Sequence, residues 1–491
     1  MSAASLNRRD LLLRGTLATA GALLPGWANA AMAAAPSAAP LAPTPAAMPD
    51  WTLGVGDVLA DIAPQPLVRV QGRAPSMTGT LYRNGPARFR RGASTAGHWF
   101  DGDGLVRAWR VQNDKASLAA RFVDTPKRRL EEKLGRIVQP GFGTPAGPGA
   151  VVAGPDDTNP ANTHVISAGG RLLALWEAGS ATALDPQTLA TQGVVTFRED
   201  LAHMPFLAHP RIEPSGQIWN IGSGGKNAYV WRLSADGRFE AGQPIALPMA
   251  SYIHDFTATE RHLVILCQPW VSDQARLPFS QSMSWRPERG SRVLVIDKDD
   301  LSRRREFELP PLFFFHLGDA WEEADGTIRF DGCFHKDPTF AVLGATGLVE
   351  WRHEHSERPL LQLVSLHPDG RADMKPAGIT AEFLRSAPET AGLPRHQTIH
   401  VGGYRDDRPF ARSVGIWDWR SGRDDSFDFG ARHLVEEFVP AGRHLIGTTL
   451  NLDAQATELH VFDARRIADG PVVSWRSTVP LPLSFHGSWI G

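Results

Sequence analysis

The stretch "PLSFHGSWIG" (residues 482–491) holds an aromatic, glycine-bracketed run centred on His486. Chain ends usually fray and accept almost any residue. This one carries Phe485, Gly487 and Trp489 and no charged side chain, so it reads as a strand tied down elsewhere in the fold. A fold that pins its last strand to an earlier one closes on itself and removes an exposed sheet edge.

Working back along the chain, short apolar runs recur between turn residues. They include "RLLALWE", "QIWNIGS", "AYVWRL", "HLVILCQ", "SRVLVID", "TIRFDG", "RHLIGTTL" and "ELHVFDA", joined by turns such as "SADG", "EADG" and "HPDG". Runs of this length, rich in Val, Ile, Trp and Phe and punctuated by Gly and Asp, are strand signals. Only "TPKRRLEEKLGRI" (residues 125–137) carries a clear helical pattern. About 440 residues follow Trp51 with no second Pro/Ala-rich break, so one large all-β architecture is expected over 51–491. Many short strands without alternating helices predict a β-propeller. No strict repeat is visible, so the pattern alone sets no blade number.

The other end reads differently. "NRRDLLLRGTLATAGALLPGWANA" joins paired arginines, Arg8 and Arg9, to a short apolar stretch and an Ala28-Asn29-Ala30 cleavage signal. This predicts a twin-arginine (Tat) export signal over 1–30 and a periplasmic or secreted protein. The apolar run is broken by Gly15, Gly21 and Pro25, too short for a membrane span. An Ala/Pro-rich linker follows over 31–50. The formal charge is −2 and no basic run tracks along the chain, which argues against nucleic acid as a partner. The two cysteines, Cys267 and Cys333, lie in strand-like contexts and fit either a disulfide or two buried thiols.

Four of the 17 histidines stand out by context. His209, His254, His316 and His486 each end an apolar run beside a small or acidic residue, at intervals of 45, 62 and 170. In a radial fold, strand ends from distant blades meet at the axis, although any one such histidine can equally be an ordinary core residue.

Several motifs then carry a resemblance. "GTLYRNGPARFRRG", "HWFDGDGLVRAW", "NPANTHVISAGGRLLALWEAGSATALDPQTL", the four histidine motifs and "PLPLSFHGSWIG" follow one another in order from Gly79 to Gly491. The chain resembles the carotenoid cleavage oxygenase family of carotenoid, apocarotenoid and lignostilbene dioxygenases. The resemblance implies a seven-bladed propeller with a helical and loop cap over its metal-bearing face. It implies Fe(2+) held by His209, His254, His316 and His486, and O2 as co-substrate. Four neutral imidazoles suit ferrous iron and leave coordination positions open. The chain end would then be a metal ligand.

The family places glutamates behind its histidines. Glu177 matches the first, and Glu436 or Glu437 the third. The second normally stands two residues before a Pro-Arg pair, where "TAGLPRH" has Gly392, so that carboxylate is expected to be missing. Thr163 matches a position near the oxygen site. Trp176 and Phe122 fall where lignostilbene-cleaving members carry a phenol-binding lysine and tyrosine. With 15 Trp and 23 Phe against 4 Tyr, the expected substrate is a lipophilic polyene, cleaved at a conjugated C=C bond into two carbonyl products. The alternatives are a phenylpropanoid alkene substrate, or a non-catalytic propeller that binds a lipophilic ligand. "ARLPFSQSMSW" (residues 275–285) offers an apolar patch for peripheral membrane contact.

Overall fold

The computed structural model of the chain describes residues 48–491. The predicted export signal at 1–30, and the linker at 31–50 apart from its last three residues, lie outside the described residues.

The strands assemble into a β-propeller whose first sheet is built from both ends of the chain. In hydrogen-bonded order it runs Ile62–Pro66, Lys115–Phe122, Gly104–Gln112, Thr78–Pro86 and His486–Ile490. Three four-stranded sheets follow, with His164–Ala168, Arg211–Ile212 and Thr257–Ala258 as end strands. An eight-stranded sheet begins at Phe313–Leu317 and ends at Arg423–Asp428. A five-stranded sheet then runs from His433–Ala441 to Val68–Gly72. The described residues thus form six sheets of four or more strands rather than seven separate ones. The 14-residue strand Ala372–Arg385 pairs on both sides and fuses two sets of strands into one sheet.

Burial differs sharply between inner and outer strands of neighbouring sheets. Phe313–Leu317 is buried at every residue, whereas Arg304–Leu309, an outer strand, alternates exposed and buried positions. The alternation reflects a strand with one wet face; the continuous burial reflects one covered on both.

Closure is achieved twice. The terminal strand pairs antiparallel with Thr78–Pro86, His486 opposite Asn84 and Ile490 opposite Thr80. Near the N-terminus, Ile62–Pro66 joins the first sheet and Val68–Gly72 joins the last, so the chain straddles the joint between them. Leu81, Trp109, Ile446, Leu459 and Trp475 pack in one core across that joint, all essentially inaccessible to water. Each such aliphatic side chain contributes about 1.5–3 kcal/mol on burial. Gly487 is required where the strands approach: a Cβ there would lie 2.4 Å from the Tyr82 carbonyl oxygen.

The predicted helix forms as Pro126–Leu134, capped by the Thr125 hydroxyl and by left-handed Gly135. Other helical pieces are short. They include Trp99–Asp101 and a π-helical turn, Phe340–Gly344, that leads into the α-helix Ala345–Val349. Cys267 and Cys333 are both buried free thiols, so the disulfide alternative falls away. Burial pushes the Cys267 thiol up to about 12, and Glu306 adds to the shift.

Candidate metal centre and its cavity

Each of the four histidines sits at or just before the innermost strand of its sheet. His209 precedes Arg211–Ile212, His254 precedes Thr257–Ala258, His316 lies within Phe313–Leu317, and His486 opens His486–Ile490. The radial arrangement therefore gathers residues up to 277 positions apart, and one nitrogen from each lies within 4.8 Å of the others. His209 Nε2 is 3.1 Å from His254 Nε2, and His316 Nε2 is 3.1 Å from His486 Nε2. All four are buried.

Three of the rings are oriented by carboxylates. His254 Nδ1 donates to Glu177 Oε2 at 2.7 Å, His316 Nδ1 to Glu382 Oε2 at 2.5 Å, and His486 Nδ1 to Glu437 Oε1 at 3.0 Å. A proton held on Nδ1 leaves Nε2 with a free lone pair facing inward. Burial, followed by repulsion from the neighbouring histidines, pushes His209 and His486 well below the usual histidine range. Neutral imidazoles with converging lone pairs are the donor set of a divalent transition-metal site, so the residues fit a metal. Among the described residues no carboxylate bonds to His209, and its surroundings are the other histidines.

The missing second carboxylate is a correction. Glu382, absent from the sequence reading, holds His316, so the site keeps three glutamates. Gly392 lies elsewhere, in a left-handed turn where a Cβ would stand 2.8 Å from the Glu260 backbone nitrogen. Glu382 is aimed by an irregularity: the register of Ala372–Arg385 slips between Glu382 and Arg385. Phe383, with φ +56°, stacks on the His316 ring at 4.9 Å. A bulky residue in the left-handed region is uncommon and marks a segment held by its surroundings. Burial would raise the Glu382 carboxyl, but His316 and His335 outweigh it and hold it at about 2.

The choice between Glu436 and Glu437 is settled by another bulge, between Val435 and Phe438. Such bulges re-aim side chains beside functional sites. Glu437 turns to His486 and also accepts from the Gly487 N–H at 2.9 Å and Arg385 Nε at 2.8 Å. Glu436 turns instead to Ser484 Oγ at 2.8 Å and to the Thr448 hydroxyl, with Arg83 alongside, and bonds no histidine of the centre.

His254, His316 and His486 line an apolar cavity whose empty space, open solvent at its entrance included, comes to about 1030 Å³. Phe100, Phe315, Phe340, Phe383, Phe410 and Phe485 supply much of its wall, with Tyr404 and Arg358 also on the lining. The loop and short-helix segments thus form the expected cap. Thr163 and Trp176 are on the lining, Thr163 with its carbonyl accepting the His486 N–H at 3.2 Å. Phe122 is not. It lies in the first sheet opposite Leu105, buried in the core with the Arg128 guanidinium 4.2 Å over its ring.

Sequence reasoning also missed Tyr252 and His335. The Tyr252 hydroxyl donates to Glu177 Oε2 at 2.8 Å, and His335 Nε2 reaches Glu382 Oε1 at 3.2 Å. Tyr252 stands two residues before His254, and in an extended segment that spacing puts two side chains on one side, which was a usable signal. His335 carried none.

Comparison with known proteins follows the same boundaries. The family model described as "Retinal pigment epithelial membrane protein" matches residues 58–491. Isoeugenol monooxygenase of Pseudomonas putida is 26% identical over 455 residues, covering 86% of this chain and 94% of the relative. Apocarotenoid-15,15'-oxygenase of Synechocystis sp. is 27% identical over 455 residues, covering 84% and 91%. The crystal structure of the cobalt-substituted Synechocystis apocarotenoid oxygenase superposes with a TM-score of 0.80 at 23% identity, covering 90% and 98%.

Proposed function

The chain belongs to the Retinal pigment epithelial membrane protein family, the carotenoid cleavage oxygenases, and from that premise we propose that it is an Fe(2+)-dependent dioxygenase of a carotenoid or apocarotenoid. The observation that carries the reading is four converging buried histidines, of which His254, His316 and His486 are held by glutamates and line an aromatic cavity. His209, His254, His316 and His486 would hold the iron. Bound there, ferrous iron supplies the activation of O2 next to the alkene.

The rest of the work belongs to the chain. The glutamates keep the Nδ1 protons in place, so the imidazoles stay neutral ligands. The aromatic wall binds an extended apolar substrate, excludes water and sets which double bond lies beside those histidines. The overall reaction breaks one C=C and one O–O bond and forms two C=O groups. It is balanced without a further reductant or proton source.

A second reading, a phenylpropanoid alkene, is favoured by Tyr404, whose hydroxyl-bearing ring lies on the cavity lining. Against it, Trp176 stands on the lining and no lysine does. The contrast first drawn with Phe122 plays no part, since that ring is in the core. A non-catalytic propeller loses its motive, because Glu382 supplies the carboxylate thought missing at Gly392.

Two further readings belong to the same proposal. Arg8, Arg9 and the Ala28-Asn29-Ala30 signal support Tat export of a protein already folded around its metal. Leu277, 55% exposed in the 275–285 segment, supports shallow contact with the membrane from which a polyene would be drawn. No helix among the described residues is long and apolar enough to cross a membrane.

The test is product analysis of the purified chain, reconstituted anaerobically with Fe(II) and then given O2. The panel holds an apocarotenal, a full-length carotenoid, and hydroxylated and plain stilbenes, with His254→Ala in parallel. Iron-dependent aldehydes from the polyenes, absent in the variant, are expected. Aldehydes from hydroxystilbene alone would move the assignment to the second reading.

A further inference from the structure

A fifth buried histidine stands behind the four. His164 opens His164–Ala168, the innermost strand of its sheet, the same place that the other histidines occupy in theirs. Its ring centroid is 5.5 Å from that of His486 and 6.1 Å from that of His209. It does not join the converging set. Its Nδ1 donates instead to the carbonyl of Ala208, the residue before His209, at 2.8 Å.

With its proton on Nδ1, the neutral ring has only a lone pair at Nε2. Two groups lie 3.3 Å from that atom: the Gly487 carbonyl oxygen, which has no proton to give, and Arg385 Nη2, which is therefore the donor. The same Nη2 is 3.3 Å from the carbonyl of Gly487, the residue after His486. Arg385 Nε donates to Glu437, which holds His486. A continuous chain of hydrogen bonds thus joins the backbone beside the first histidine to the backbone and carboxylate beside the last.

We propose that His164, acting with Arg385, is the positioning residue for His209, taking by way of the main chain the part that glutamates play for the other three. It fixes the separation of the segments that carry His209 and His486, and so holds the four nitrogens ready for metal. The inference rests on the reading that these histidines bind a metal, but it needs no substrate.

The experiment titrates Co(II) into the metal-free full chain. It reads the visible cobalt absorption for affinity, and thermal unfolding of the metal-free form for stability. His164→Leu removes both hydrogen bonds at similar volume. His164→Asn keeps an amide nitrogen near the Nδ1 position, and His164→Gln places one nearer Nε2. Loss of an outer partner of a metal ligand typically costs about 10–100-fold in affinity, and that loss is expected for His164→Leu. His164→Asn should recover most of it and His164→Gln little. If the leucine variant does not fold, the Asn-to-Gln ratio decides alone. Leucine affinity within threefold of the parent, or equal affinities for Asn and Gln, would overturn the proposal. A purely structural role would lower the unfolding temperature and leave the affinity of the folded protein unchanged. Absence of cobalt binding by the parent would sink the metal reading itself.

Discussion

The two sides of the metal centre are built by different means. On one side, His254, His316 and His486 each present Nδ1 to a buried or partly buried carboxylate at 2.5–3.0 Å. On the other, His209 has no carboxylate, and the neighbouring Ala208 carbonyl is held by His164. A carboxylate fixes a ring directly and strengthens the ligand through charge. A main-chain tether fixes only where the ring starts. The contrast suggests that four buried histidines need little more negative charge than three glutamates supply, and that the fourth can be placed by geometry alone.

The strongest way to break that comparison is to remove a ligand. His486→Ala should reduce metal binding and iron-dependent product to background, read by metal analysis and aldehyde yield. A variant that still holds one metal per chain would mean that the closing strand contributes no ligand.

The adjacent glutamates sharpen it. Glu437→Gln and Glu382→Gln should each weaken cobalt binding about 10–100-fold. Glu436→Gln should leave affinity within about threefold and instead lower unfolding stability, since it strips charge from bonds to Ser484, Thr448 and Arg83. Hydrogen bonds to charged groups are worth on the order of 1.5–3 kcal/mol. Equal effects on affinity at positions 436 and 437 would erase the distinction drawn by the bulge.

A buried histidine outside the centre gives a smaller, pH-dependent contrast. Burial pushes His460 down to about 3, and it bonds Thr449 and Ser474. The unfolded chain takes up a proton near pH 6.5. The folded chain resists doing so until about 3. The contribution of His460 is therefore complete above the unfolded value and is lost as the pH falls towards 3, at about 1.4 kcal/mol per pH unit. Urea midpoints at pH 7, 6 and 5 should fall less steeply in His460→Asn, with cobalt affinity unchanged. An unaltered slope would show that the unfolded and folded rings titrate alike.

The smallest effect expected is at Phe122. Phe122→Leu should cost roughly 1 kcal/mol of stability and leave product ratios across the substrate panel as they were. Trp176→Leu, on the cavity lining, should change those ratios. A shift from the Phe122 variant would restore it to the substrate site.

The sequence by itself determined the all-β class, the ordered terminal strand, the helix after Thr125, the four histidine motifs and Glu177. These are local signals: strand period, turn residues, a cap, and motifs whose order survives in one dimension. Only the tertiary structure decided that Glu382 rather than position 392 holds His316, that Glu437 rather than Glu436 faces His486, and that Phe122 is core. In each case the deciding factor is which face of a strand a residue takes. A one-residue slip reverses that face, and the bulges that set it at 382–385 and 435–438 leave no mark in composition. His164 and Arg385 were illegible for a related reason. Their partners include the main-chain carbonyls of Ala208 and Gly487, and a carbonyl has no letter in the sequence.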